Sequence, residues 1–133
     1  MLQIGEVADR VGLSLRTVRY YEETGLLEPE ARTDGGFRLY THRHVQRLEV
    51  IKQLKPLGFN LHEMRELLDT HDRLHDPDAD EGSRDAARER LAEYAEIAQK
   101  GCDRLREQLR RGEAFLNQLR RDSRRRRTTP ARS

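Results

Sequence analysis

The 133-residue sequence predicts an all-α fold with one small β-hairpin, ending in a single long helix. Two short helical patterns stand at the N-terminus, IGEVADRVG and SLRTVRYYEETG, joined by one tight turn. A turn-rich segment, LLEPEARTDGGFRLYT, interrupts the helical periodicity. Beyond residue 85 a 3-4 spacing of small and apolar residues persists for about five heptads.

In the first pattern Ile4, Val7, Ala8 and Val11 fall at i, i+3, i+4 and i+7, one apolar stripe of a helix. Gly12 stands where a left-handed C-cap would end it, and Ser14 where an N-cap would start the next. In the second, Leu15, Val18 and Tyr21 share one side, with Arg16, Arg19, Tyr20 and Glu23 opposite, and Gly25 closes it. Two short helices across a Gly-containing turn, the second presenting Arg and Tyr outward, describe a helix-turn-helix, so DNA is the first partner to consider. Asp34, Gly35 and Gly36 form the turn signal of a hairpin, with Phe37, Arg38, Leu39 and Tyr40 alternating after it. Beside a helix-turn-helix such a hairpin is a wing.

Thr41 is placed to cap a third helix carrying Val45, Leu48, Ile51 and Leu54, which Pro56 and Gly58 break. Asn60 and Glu63 have the spacing of a capping box opening a fourth helix, with Leu61, Met64, Leu67 and Leu68 inward. The chain then divides into a DNA-binding domain over 1–70, an acidic linker over 71–84, a coiled-coil helix over 85–120, and a disordered basic tail over 121–133. The coiled-coil seam reads Leu91, Ala95, Ala98, Cys102, Leu105, Leu109, Gly112, Leu116 and Leu119. A helix that long with one apolar seam needs a partner.

Composition narrows the function classes. Charged residues make up 38 % and hydrophobic residues 35 %, with no Trp, which suits a small helical domain plus a solvated helix better than a compact enzyme. Residues 120–133 hold 7 basic side chains and 1 acidic one, so the net charge of +2 reflects the tail and does not itself argue for nucleic acid. No nucleophile–base constellation, phosphate loop or core carboxylate pair points to catalysis, and neither a cofactor nor a metal site is expected. One cysteine builds neither an internal disulfide nor a Cys-rich zinc site. His71 and His75 lie at i, i+4 and could chelate a metal, but a solvated hinge is the better reading. No bilayer-length apolar run or leader-like N-terminus is present, so the expected location is the cytoplasm, away from membranes.

IGEVADRVGLSLRTVRYYEETGLL, GGFRLYT and VIKQLKPLGFNLHEMRELL, in this order and spacing, resemble the MerR family of transcriptional regulators across residues 2–69. The resemblance makes Arg16, Thr17, Arg19 and Tyr20 of the second helix candidate contacts to bases and phosphates. It adds Arg38 and Tyr40 of the wing as backbone contacts, with packing against the third helix as the alternative for Tyr40, and Lys55 at a second wing. It implies that the long helix pairs antiparallel in a homodimer, through Leu91, Ala95, Ala98, Cys102, Leu105, Leu109, Leu116 and Leu119. It further implies binding to an inverted repeat in an overlong promoter spacer, bent and untwisted so that RNA polymerase engages both promoter elements. Metal-responsive MerR-like proteins carry a cysteine near the start of the dimer helix, where this chain has Ser83 and Asp85. The aldehyde- and nitrosative-stress branch uses one in the third helix, where Lys52 and Gln53 stand. Neither sensor class fits, and the effector is left open. Cys102 reads as a small buried thiol; the alternative is an oxidisable contact at the dimer midpoint. Two other functions share this sequence: an architectural or excisionase-like DNA-bending protein, and an interaction module acting through the coiled coil.

Overall fold

The computed structural model describes residues 1–29, 31–32, 35–36 and 38–125. Along the chain run β1 (Leu2–Gln3), α1 (Ile4–Val11), α2 (Leu15–Glu23), β2 (Ala31–Arg32), β3 (Arg38–Tyr40), α3 (His42–Leu54), a 3₁₀ turn (Lys55–Leu57), α4 (Leu61–Leu74) and α5 (Glu81–Arg124). The architecture is mostly helical, with a small sheet and a long final helix, as the periodicity requires.

The first turn forms as its residues dictate. Gly12 takes the left-handed conformation at φ +75 and its N–H donates to Ala8 O. Ser14 Oγ accepts the Thr17 N–H at 3.0 Å, which caps α2. Val7, Ala8 and Val11 are buried from α1, Val18 and Tyr21 from α2, and Leu48, Ile51 and Leu54 from α3. Met64 and Leu68 of α4 close the same core. Leu15 departs from its expected inward position: as the first residue of α2 it projects beyond the core and is exposed.

The hairpin is part of a three-stranded antiparallel sheet ordered β1-β3-β2, with Leu2 opposite Tyr40 and Ala31 opposite Leu39. Of the expected turn, Gly36 has φ +83, whereas Asp34 and Phe37 lie outside the described residues. Leu26 and Leu27, at the head of the segment read as a hairpin, are instead buried core, both N–H groups donating to Tyr21 O.

Asn60 and Glu63 form the expected reciprocal cap, each backbone N–H donating to the other's side chain at 2.8 Å. Two boundaries move. The segment expected as a linker over 71–84 is helical to Leu74 and again from Glu81. Polar residues prolong α4 on its solvent side, and Asp80 Oδ1 caps α5 by accepting the Ser83 N–H at 2.7 Å. The helix expected to end near 120 runs through Arg124, so residues 121–124 are not tail; 126–133 lie outside the described residues. Among the described residues no helix is long and apolar enough to cross a membrane.

Ala87, Tyr94 and Gly101, one heptad apart, are the buried residues of α5, and they face this chain's own α4 and 3₁₀ turn. Phe59 and Tyr94 stack with ring centroids 6.0 Å apart. Ala98, expected in the intermolecular seam, packs against the same core. The heptad pattern thus overlies a second stripe serving the chain's own fold.

Candidate nucleic-acid interface

Helix α2 turns Val18 and Tyr21 into the core, and this orientation forces Arg16, Arg19 and Tyr20 out to solvent. Tyr20 is half-exposed, its ring 5.6 Å from that of Tyr21. Thr17 is half-buried and ties its hydroxyl to Ser14 Oγ at 2.8 Å, so of the expected set it is the one already engaged in the cap.

The turns before and after α2 are held from outside. At the entering turn, Lys52 Nζ of α3 donates to Val11 O at 2.5 Å. At the exit, Arg47 of α3 donates through Nε to Leu26 O at 2.9 Å, and Arg65 of α4 donates to Thr24 O. Arg47 is itself anchored by Asp72 at 3.2 Å and Asp69 at 3.5 Å. Lys52 and Arg65 thus satisfy carbonyls at the C-terminal ends of α1 and α2 and complement those helices' dipoles, while Arg47 ties down the turn that follows α2. Sequence reasoning missed Arg47 and Arg65. The trace in the sequence was Asp69 and Asp72, one helical turn apart on α4, which pair with Arg47 of α3.

Tyr40 is corrected by the structure. It is fully buried, its hydroxyl donates to the Glu22 carboxylate, and its ring meets His44 edge-on at 5.4 Å. A side chain with no exposed surface reaches no phosphate; Tyr40 joins β3 to α2 and α3, the packing alternative. Arg38 lies opposite Arg32 in the β2–β3 register, bringing two basic residues to one rung of the wing. Lys55 is exposed at the start of the 3₁₀ turn, which Gly58 closes at φ +93.

Helix α5 is joined to α4 by a polar cluster around Glu66. Arg90 donates to Glu66 at 2.6 Å and lies over the Tyr94 ring at 4.8 Å, and His62 approaches Glu66 from the other side at 3.4 Å. Arg90's hydrogen bonds, aided by the Tyr94 hydroxyl, hold the Glu66 carboxyl below the ordinary range. Burial pushes the Tyr94 phenol up.

Of the residues expected in the dimer seam, Leu91 and Cys102 are half-buried and Ala95 is exposed. Leu105, Leu109, Leu116 and Leu119 are exposed by 39, 62, 41 and 50 %, and Phe115 adjoins them at 59 %. From Gln108 onward every described residue is exposed. His71 and His75 do meet, with ring centroids 4.4 Å apart, but no group of three potential metal ligands occurs among the described residues.

Two family models match: "MerR HTH family regulatory protein" over residues 2–71 and "MerR, DNA binding" over 45–122. The chain belongs to the MerR family of transcriptional regulators. This is a family of regulators, not of enzymes. The HTH-type transcriptional regulator ZntR of Escherichia coli is 48 % identical over 68 residues, covering 51 % of this chain and 48 % of ZntR. The chain thus matches about half of that relative's length. MtaN, the N-terminus of the Bacillus subtilis multidrug transporter activator, is similar in structure, with a TM-score of 0.54 and 28 % identity over 94 % of this chain and all of that one. HiNmlR, a MerR family regulator lacking the sensor domain and solved bound to promoter DNA, shares the fold at a TM-score of 0.64 and 23 % identity, covering 88 % of this chain and 86 % of its own.

Proposed function

We propose that this MerR-family chain works as a homodimer, pairing two α5 helices antiparallel and placing two α2 helices on the half-sites of an inverted repeat in promoter DNA. Arg16, Arg19 and Tyr20 read base edges and phosphates from α2, while Arg38 and Lys55 hold the backbone from the two wings. The observation that carries the reading is the recognition helix itself: its apolar side is sunk in the core, Ser14 caps its start, cations hold the turns on either side of it, and its outer side is Arg, Arg and Tyr. The partner of α5 is a second copy. Its apolar stripe from Leu105 to Leu119 faces no other part of the described chain, and the middle of the helix falls at Cys102 and Asp103. Two such helices centred there would cover each other's stripes.

Bending and untwisting of the DNA, so that RNA polymerase engages a promoter with an overlong spacer, is the regulatory step we assign to this dimer. HiNmlR, solved on promoter DNA, supports the promoter as target. Selection of binders from a random duplex pool by the reduced full chain tests the reading. An inverted repeat with two protected half-sites is expected. Duplexes of weak sequence preference, coated without discrete footprints, would instead mark an architectural DNA-bending protein.

A further inference from the structure

Helix α5 carries the second wing on a bare patch of backbone. At Gly101 an added Cβ would stand 2.3 Å from Leu57 O and 2.9 Å from Leu57 C and Cα. All three atoms are main chain, so no side-chain rotation relieves the clash; α5 and the 3₁₀ turn would have to part by about an ångström. One helical turn on, Arg104 Nη2 donates to the same Leu57 O at 2.9 Å and lies across Gly58, where a Cβ would be 2.3 Å from that nitrogen. Leu57 O is the last carbonyl of the 3₁₀ turn, a group that a helix end leaves without an internal donor. Glycine within a helix costs about 1 kcal/mol relative to alanine, so its presence at 101 reflects the approach it permits. Beside this contact Cys102 is half-buried and Leu105 is exposed, where the open stripe begins.

From this geometry we infer that Gly101 and Arg104 are positioning residues for the second-wing DNA contact. They form a saddle on the dimerisation helix that fixes the height of the Lys55–Gly58 turn over the duplex. The inference rests on reading Lys55 as a phosphate contact. Its consequence is that wing position belongs to α5 as much as to the DNA-binding domain. A partner helix docked beside Cys102 adjoins the surface on which the wing rests, so each half-site contact is referred to the dimer axis.

The test uses the full chain with Gly101→Ala, Arg104→Ala and Arg104→Lys, each alone and with Lys55→Ala. Hydrogen exchange across residues 55–59 is read without DNA, and affinity is read on the duplex selected from the random pool. Gly101→Ala and Arg104→Ala are expected to sediment as wild type, to exchange about tenfold faster across 55–59 and to bind about tenfold more weakly. Arg104→Lys should recover part of both losses. With Lys55→Ala present, the same substitutions should change affinity by less than about twofold, since they act through that residue. Unchanged exchange at 55–59 would overturn the saddle, and a full loss persisting beside Lys55→Ala would overturn its route to DNA. Should Lys55→Ala alone bind like wild type, the phosphate reading of Lys55 has failed; the exchange result still decides the saddle separately. If Gly101→Ala does not fold, Arg104→Ala carries both readouts.

Discussion

Arg19 and Tyr20 project from the same two turns of α2 that sink Val18 and Tyr21 into the core, and this division predicts separable failures. Arg19→Ala or Tyr20→Ala should cost about 1–3 kcal/mol of affinity for the selected duplex while the thermal melt stays put; fluorescence anisotropy at fixed salt reads the first and circular dichroism the second. Val18→Asp should cost more than about 4 kcal/mol and abolish the cooperative melt, because it buries an unpaired carboxylate among apolar neighbours. Tyr40 tests the corrected assignment. Its hydroxyl is spent on Glu22, so Tyr40→Phe should lower stability by about 1 kcal/mol in urea unfolding and leave DNA affinity within about twofold. The outward Arg–Arg–Tyr face was legible in the sequence because helical spacing alone separates it from Val18 and Tyr21. The burial of Tyr40 was not: alternation on a three-residue strand assigns a side, and whether that side meets solvent depends on α2 and α3 lying over it.

Elements whose ends carry chemical signals were readable, and those ending in polar runs were not. Gly12 with Ser14, and Asn60 with Glu63, fixed three helix termini through caps that the structure forms. Strand β1 is two residues long, too short for any alternation. The end of α4 and the start of α5 were hidden because His71–Leu74 and Glu81–Arg84 are helical without an apolar stripe. Helix α5 concealed most, since one periodicity served two faces: Tyr94 and Gly101 toward its own domain, Leu105 through Leu119 toward none of it. The α4–α5 junction has a pH signature. Arg90's hydrogen bonds lower the folded-state pKa of Glu66, so protonation favours the unfolded chain. The stabilisation is present above the unfolded value of about 4.3 and is lost as pH falls through the lower folded value. Melting temperature followed from pH 6 to pH 3 should therefore drop more steeply in wild type than in Glu66→Gln.

Taken whole, the molecule is a DNA-reading domain mounted on one end of a helix whose other end offers an uncovered apolar stripe. Forty-four residues at ~1.5 Å each give α5 a length of about 66 Å, ample to separate two reading domains on one face of a duplex. Leu109→Asp with Leu116→Asp should break the pairing, seen as a single-chain mass in sedimentation, while the melt of the DNA-binding domain is retained. Dimeric binding is tested most directly by the stoichiometry on the selected duplex and on the same duplex cut to one half-site, measured by anisotropy titration at concentrations well above Kd. Two chains per full duplex, with affinity falling by more than about a hundredfold on the single half-site, is the predicted result, because the second contact is then no longer intramolecular. One chain per duplex, with equal affinity for the full and the half-site DNA, would contradict it.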